Sequence, residues 1–318
     1  MAGLSEFELI KRYFSPLSAS DNGAVLLGSG DDCGVISPPH GKDLCFSIDT
    51  LVEGVHFPPD APPFELAYRA LAVAMSDLAA MGASPFFFTL ALTLPKTDPE
   101  WLELFAGGLK TLADKYQFPL LGGDTTRGPL SISIQVHGLL NKPALQRSGA
   151  KEGDVIAVSG TLGDAGAALD LLPRFHEGLS PRDTYLLSRY YQPSPRIELG
   201  ESMLSYASAC IDISDGLLAE AAHISEKSSV SVEIDSSLIP LSCQLIDFKG
   251  KDKAKVLALS AGDDYELLFT MPESGWHAFT ASIPAGLVHR IGCIKAGSGV
   301  YLDGCNTDQL KKGFQHFD

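Results

Sequence analysis

Apolar positions along the chain change period several times, and each change marks an element. Phe7, Leu9, Ile10, Tyr13 and Phe14 fall at helical spacing behind Ser5 and Glu8, a capping-box pair, so a short helix is expected to open the chain. Strand-like runs follow at 24–28, 33–37 and 43–49, separated by glycine, proline and acidic turns. Between Pro63 and Gly82 the residues Leu66, Leu71, Met75 and Leu78 predict a helix, with Gly82 as its stop. A strand is predicted at 85–94, a helix at 98–116 and an alternating strand at 130–140, where Ile132, Ile134, Val136 and Gly138 face one way.

Residues 141–154 are polar and carry Pro and Gly, which makes them the expected domain boundary, with domains at 1–141 and 142–318. Beyond it the pattern predicts strands at 155–159, 209–213, 230–234 and 265–271, and helices at 165–172, 184–191, 197–207 and 216–226. Strands and helices are interspersed in both halves. The expected class is therefore α/β or α+β, in two domains.

Composition narrows the function. With 318 residues, 45% hydrophobic and 20% charged, the chain has the core material of an ordinary globular protein. A formal net charge of −15 argues against nucleic acid or an anionic membrane as partner, because both require clustered Lys and Arg. The six cysteines form no C-x-x-C pair and have no histidine at ligand spacing, which argues against zinc and against a disulfide framework. No basic and apolar leader opens the sequence, and no run approaches the ~18 apolar residues of a membrane helix, so a cytoplasmic, reduced protein is expected.

The chemistry resides in the aspartates. Asp31 and Asp32 sit in a glycine turn, Asp49 closes an apolar strand, and Asp77 lies inside Ala74-Met-Ser-Asp-Leu-Ala-Ala-Met81. Asp124 follows Gly122-Gly123, Asp212 and Asp215 flank Ile213-Ser214, and Asp263 follows Gly262. Carboxylates in such surroundings are protonated, paired or bound to metal. Hard oxygen donors in this number suit Mg2+, which commonly serves a phosphate substrate. Gly28-Ser-Gly30 lacks a third glycine, and a strand follows where a dinucleotide fold needs a helix; no Walker loop occurs either. For Asp124 the alternative is a salt bridge to Arg127, for Asp215 or Ser214 a helix cap, for Asp77 a pair with Arg69 or Arg127, and for His56 a structural place in its loop.

Taken in order, Gly28-Ser-Gly-Asp-Asp-Cys33, Ser47-Ile-Asp-Thr-Leu-Val-Glu-Gly-Val-His-Phe57, Ser76-Asp-Leu-Ala-Ala-Met-Gly-Ala83 and Gly122-Gly-Asp-Thr-Thr-Arg-Gly-Pro129 make a specific set. It continues with Arg147-Ser-Gly-Ala-Lys-Glu-Gly-Asp154, Ser159-Gly-Thr-Leu-Gly-Asp-Ala165, Ile211-Asp-Ile-Ser-Asp-Gly-Leu217, Gly262-Asp-Asp-Tyr-Glu-Leu267 and the terminal Gly313-Phe-Gln-His-Phe317. This set resembles the thiamine-monophosphate kinases, within the aminoimidazole-ribonucleotide-synthetase-like ATP-binding superfamily. The resemblance implies transfer of the ATP γ-phosphoryl group to thiamine monophosphate, and a homodimer whose N-terminal domains pair into a β-barrel, with ATP in a cleft between chains.

By the same resemblance, Asp32, Ser47, Ile48, Asp49, Asp77, Asp124, Asp212 and Asp215 would hold several Mg2+ ions. Gly123, Asp124, Arg147 and Ser214 would contact the nucleotide, and His56, Asp263 and Lys311 the thiamine phosphate. Two positions depart from the family pattern: Asp263 stands where Glu is frequent, and Lys311 where an aromatic residue can precede the terminal motif. Stacking on the thiamine rings would then fall to Phe314 or be absent. The alternatives are another ATP-using member of the superfamily or a non-catalytic Mg2+ and nucleotide binder.

Overall fold

Strict alternation along Ser131–Leu140 buries every second side chain, and this strand becomes an interior member of the first sheet. The computed structural model describes residues 6–18, 23–28, 31–140, 143–175 and 177–307. Two compact units divide the chain, Met1–Leu78 with Ala83–Lys142, and Ala79–Gly82 with Pro143–Asp318.

The first unit opens with α1 (Glu6–Leu9), whose ladder loosens into a π turn over Ile10–Phe14 and a 3-10 turn over Ser15–Ser18. Pro16, which has no amide hydrogen, sits where an α-helix would need one. Ser5 lies outside the described residues. Strands β1 (Val25–Leu27) and β2 (Val35–Ile36) form a small antiparallel ribbon. The main sheet contains β3 (Asp43–Val52), β4 (Ala83–Leu94), β5 (Leu120–Arg127) and β6 (Ser131–Leu140), in the order β3-β6-β4-β5. Only the β4/β5 pair is parallel.

Two helices complete this unit, α2 (Pro63–Met81) and α3 (Pro99–Tyr116). In α2 the expected stripe of Leu66, Leu71, Met75 and Leu78 is fully buried, and so are Ala67, Ala70, Ala74 and Ser76 around it. A helix enclosed on nearly all sides is a core helix, so a carboxylate on it stands in an apolar setting. Asp98 caps α3 by accepting the Trp101 amide, with Pro99 at its first position.

Two expectations are corrected here. Asp49 does not close β3: Leu51 and Val52 continue the alternation and pair with Ile132 and Ser131. Asp124 does not sit in a turn but inside β5, paired with Ala91 of β4. The polar stretch Gly122–Arg127 remains a strand because glycine lets the backbones close in; a Cβ on Gly123 would stand 2.0 Å from the Leu90 carbonyl oxygen.

The second unit is built on seven strands: β7 (Val155–Ser159), β8 (Ala209–Asp212), β9 (Ser231–Ile234), β10 (Leu267–Met271), β11 (Val288–Lys295), β12 (Gly299–Leu302) and β13 (Cys305–Asn306). Their order is β13-β12-β9-β11-β7-β10-β8, antiparallel except for β12 beside β9. Helices α4 (Asp164–Ala168), α5 (Pro181–Tyr191), α6 (Ile197–Met203), α7 (Leu217–Ser228), α8 (Cys243–Lys249), α9 (Lys251–Ser260) and α10 (Glu273–Ser282) belong to it. Predominantly antiparallel sheets with helices make the class α+β. Apolar periodicity barely marks α9, since only Ala254 and Ala258 are buried, and β11 carries a bulge between Arg290 and Gly292 that breaks its alternation.

Close helix packing in the first unit gives a stability test away from any proposed site. A Cβ on Gly108 of α3 would lie 2.1 Å from the Phe64 carbonyl oxygen of α2. Gly108→Ala is expected to destabilise the chain by ~1–3 kcal/mol, read as a lowered midpoint in thermal or urea unfolding.

Candidate active site

Residues of the first unit gather in two places. The first is a cavity of about 490 Å³ whose walls include Phe14, Asp31, Asp32, Cys33, Gly123 and Asp124, a volume suited to a small-molecule ligand. Its apolar side comes from Phe14, Leu90, Leu120 and Leu121, and its acidic side from the glycine turn and β5. The Asp32 amide donates to Asp31 Oδ1 at 2.9 Å. Asp124 and Arg127, three residues apart on a strand, point to opposite faces, so the salt bridge weighed as an alternative is not formed.

The second place is the inner side of β3. Ser47 and Asp49 alternate with outward-facing Phe46 and Ile48, and the Ser47 hydroxyl donates to Asp77 Oδ2 of α2. Burial first, and the Asp77 charge second, push the Asp49 carboxyl up to about 6. Ile48 is 62% exposed, so its side chain faces away from Asp49 and any ligand role would fall to its main chain. His56 follows in the turn after β3, where its Nδ1 accepts the Val52 amide at 3.0 Å. That bond fixes the ring and its tautomer.

Sheet geometry separates these two places. Asp49 shares its row with Ile134, Leu90 and Gly123, whereas Asp124 shares its row with Thr50, Ser133 and Ala91. Adjacent rows point to opposite faces, and β3 and β5 are the two edges of the sheet, three strand spacings or ~14 Å apart. Asp49 and Asp124 of one chain therefore cannot ligate the same ion, at ~2.1 Å from each. Among the described residues, no three His, Cys, Asp or Glu side chains gather as a metal cage.

In the second unit, Asp212 ends β8 and is 5% exposed. After it, Ser214 and Asp215 lead into α7, whose N-cap is Gly216 and not either of them. Glu220, from the first turn of α7, reaches back to accept the Asp215 amide at 3.2 Å and the Ser214 hydroxyl at 3.4 Å. Burial pushes Glu220 up to about 7, with hydrogen bonds and the Arg147 charge partly opposing. Asp263 lies against the same turn, its amide donating to the Ser214 carbonyl at 2.8 Å. Ser214, Asp215 and Asp263 are thus neighbours within one unit, and the Arg147 charge is felt at Glu220 beside them. Lys311 and Phe314 lie outside the described residues.

Residues 30–140 match the family model "AIR synthase related protein, N-terminal domain". Thiamine-monophosphate kinase of Escherichia coli K12 is 43% identical over 319 residues, covering 98% of each chain. The chain belongs to the thiamine-monophosphate kinase family. Among solved members, thiamine-monophosphate kinase from Stenotrophomonas maltophilia K279a superposes with a TM-score of 0.87 at 41% identity, covering 96% of this chain and 98% of that one. AaThiL, solved in complex with AMPPCP and TMP, gives a TM-score of 0.81 at 34% identity over 99% of this chain and 97% of that one.

Within this kinase fold, the motif reading missed Glu220 and the buried acids Asp164, Asp264 and Glu266. Their signal was present as charges inside apolar runs, Glu220 in Leu217-Leu-Ala-Glu-Ala-Ala222 and Glu266 directly before Leu267–Met271. Such positions are buried only when paired or protonated.

The Asp49 and Asp77 pair carries a testable consequence. A carboxyl with a raised folded-state pKa contributes stability in its protonated form, and that stability falls as pH rises from its unfolded value near 4 through about 6. Asp49→Asn is therefore expected to stabilise the metal-free chain at pH 7.5 by ~1–3 kcal/mol of unfolding free energy, seen as a higher midpoint, with little change at pH 4. Thermal unfolding in EDTA at both pH values reads this out.

Proposed function

We propose that the chain transfers the γ-phosphoryl group of ATP to thiamine monophosphate, giving thiamine diphosphate and ADP, a step of thiamine diphosphate synthesis in the cytoplasm. What carries the reading is full-length likeness to the E. coli kinase together with a relative solved with a nucleotide analogue and TMP. In this reading residues 1–141 supply most of the metal-binding carboxylates, and residues 142–318 supply Arg147, Ser214 and Asp263.

The acceptor is a phosphate monoester whose second pKa near ~6 leaves it largely dianionic at neutral pH, so no general base is required. An oxygen of that phosphate attacks the γ-phosphorus in line while the bond to the β,γ-bridging oxygen breaks, and the electron pair leaves with ADP. Gly123, Arg147 and the Ser214 hydroxyl would contact the nucleotide, and His56, Asp263 and Lys311 would hold thiamine monophosphate.

Hard oxygen donors fit magnesium. Ser47, Asp49 and Asp77 place a hydroxyl and two carboxylates together, and the raised Asp49 carboxyl has a neighbour whose charge a cation would offset. Asp32, Asp124, Asp212, Asp215 and the Ile48 main-chain oxygen would complete the set. When bound, Mg2+ supplies charge neutralisation between the anionic reactants.

A second copy of the chain answers the separation of Asp49 from Asp124. Along β3 the outward side chains Leu44, Phe46 and Ile48 are 40%, 68% and 62% exposed, a contiguous apolar edge that fits the homodimer expected from the family. In a dimer the Asp49 edge of one sheet can meet the Asp124 edge of the other. Phe46→Glu is expected to give a monomer by analytical ultracentrifugation and to abolish ADP formation while leaving the chain folded by circular dichroism.

The activity itself is tested by ADP release. It is expected only with thiamine monophosphate present, and not with thiamine or aminoimidazole ribonucleotide precursors. With a chirally labelled γ-phosphate the product should show inversion at phosphorus; retention would require a phosphoenzyme and overturn direct transfer.

A further inference from the structure

The loop Ser159–Asp164 joins β7 to α4 and wraps two buried carboxylates, Asp264 and Glu266, each 1% exposed. Arg196 grips Glu266 as a fork, with Nε on Oε2 and Nη2 on Oε1, both at 2.6 Å. Arg189 adds Nη2 to Oε1 at 2.8 Å, and the Ser159 hydroxyl donates to Oε2. The Gly163 amide reaches both oxygens of Asp264, at 3.0 and 2.8 Å. Gly160 has φ +55°, and a Cβ there would stand 2.2 Å from Glu266 Oε1, so the loop closes over the ion pair only without a side chain.

This lock sits beneath a strained turn. Asp263 and Tyr265 both have positive φ, 70° and 49°, a conformation that L residues hold only when their surroundings impose it. The turn is stitched to the Asp212–Asp215 segment by the Asp263 amide on the Ser214 carbonyl and the Tyr265 amide on the Ile213 carbonyl, each at 2.8 Å. The Ile213 amide in turn donates to the Glu266 carbonyl at 2.7 Å. Displacing Glu266 therefore shifts both sides of the site, Asp263 on one and Ser214 on the other. A buried ion pair is a poor source of stability but a strong determinant of geometry, because its fork admits one arrangement.

We propose that Glu266, gripped by Arg189 and Arg196 under the Ser159–Asp164 loop, is a positioning residue that imposes the Asp263–Tyr265 turn and so aims Asp263 and Ser214 at the substrates. This rests on the assignment of those two residues to thiamine monophosphate and nucleotide. Glu266, 1% exposed, would act through the turn it holds and not by direct contact.

Steady-state kinetics with each substrate varied in turn, on Glu266→Gln, Arg196→Lys, Asp263→Asn and the Glu266→Gln/Asp263→Asn double variant, tests it. Glu266→Gln and Arg196→Lys are expected to raise KM for thiamine monophosphate roughly tenfold or more. On top of Asp263→Asn, Glu266→Gln should add much less than it does alone, because the group it aims is already gone. Losses that multiply independently, or a kcat that falls with the folded fraction at unchanged KM, would show a structural role only. Should Glu266→Gln fail to fold, Ser159→Ala removes a single donor from the carboxylate and is expected to shift the same KM in the same direction. Amide hydrogen exchange across residues 262–267 separates this inference from the function: if the unaltered chain forms no ADP, the kinase reading fails, while faster exchange in Arg196→Lys still supports the lock and unchanged exchange overturns it.

Discussion

Keeping a carboxylate out of water beside another carboxylate is the constraint that shapes this molecule. On the inner side of β3 the strand alternation that buries Leu51 also turns Ser47 and Asp49 toward α2, a helix enclosed by core on nearly all sides. Asp77 has no freedom to turn that helix toward solvent, because Leu66, Leu71, Met75 and Leu78 anchor it. The site is thus held in place by packing that gains nothing from the charges. Two unit charges ~4 Å apart repel by roughly 4 kcal/mol at an effective dielectric of 20, a penalty a divalent cation would turn into attraction. Tension of this kind is common where function and stability pull in opposite directions.

The second unit solves the same problem differently. Glu266 is more deeply buried than Asp49, yet the hydrogen bonds and charges of Arg196 and Arg189 outweigh the effect of burial and hold its carboxyl below the ordinary range. Asp264, reached by the Gly163 amide and not by a fork, is pushed well above that range by burial. One buried acid is paired and ionised, its near neighbour favours the proton, and neither offers ligand oxygens to a substrate. The turn they support brings Ser214 and Asp263 together, the residues to which the proposed function gives nucleotide and substrate contacts.

Elements with clean periodicity could be read directly from residue order. The alternation of Ile132, Ile134 and Val136 and the stripe on α2 emerge in the structure as anticipated, although burial on α2 extends well beyond the stripe to nearly the whole helix. Strand β5 could not be read this way: Gly122, Gly123, Thr125 and Thr126 carry no apolar alternation, and what makes them a strand is backbone approach to Leu90, a tertiary fact. Asp124 consequently looked like a turn residue. The grouping of Ser214 with Asp263 was legible only as two acidic glycine motifs, since some fifty residues separate them and the hydrogen bond joining them is main-chain. Glu220 and Glu266 escaped notice for the opposite reason, as acids hidden in apolar runs where pattern reading expects core.

Charge accounting explains why cations are the natural complement to this site. The chain carries −15 before either anionic reactant arrives. Three arginines of the second unit are committed to carboxylates: Arg189 and Arg196 to Glu266, and Arg182 to Asp183 and Asp247. The Arg147 charge also acts on Glu220 and partly opposes the effect of burial there. A guanidinium already engaged bidentately cannot supply a second fork without releasing the first. In the proposed reaction, screening between ATP and a phosphate dianion would come from ions recruited with the substrates, for which hard oxygen donors are the natural ligands. The acidity that would repel a bare nucleotide is, in this reading, what prepares the chain for a magnesium-bound one.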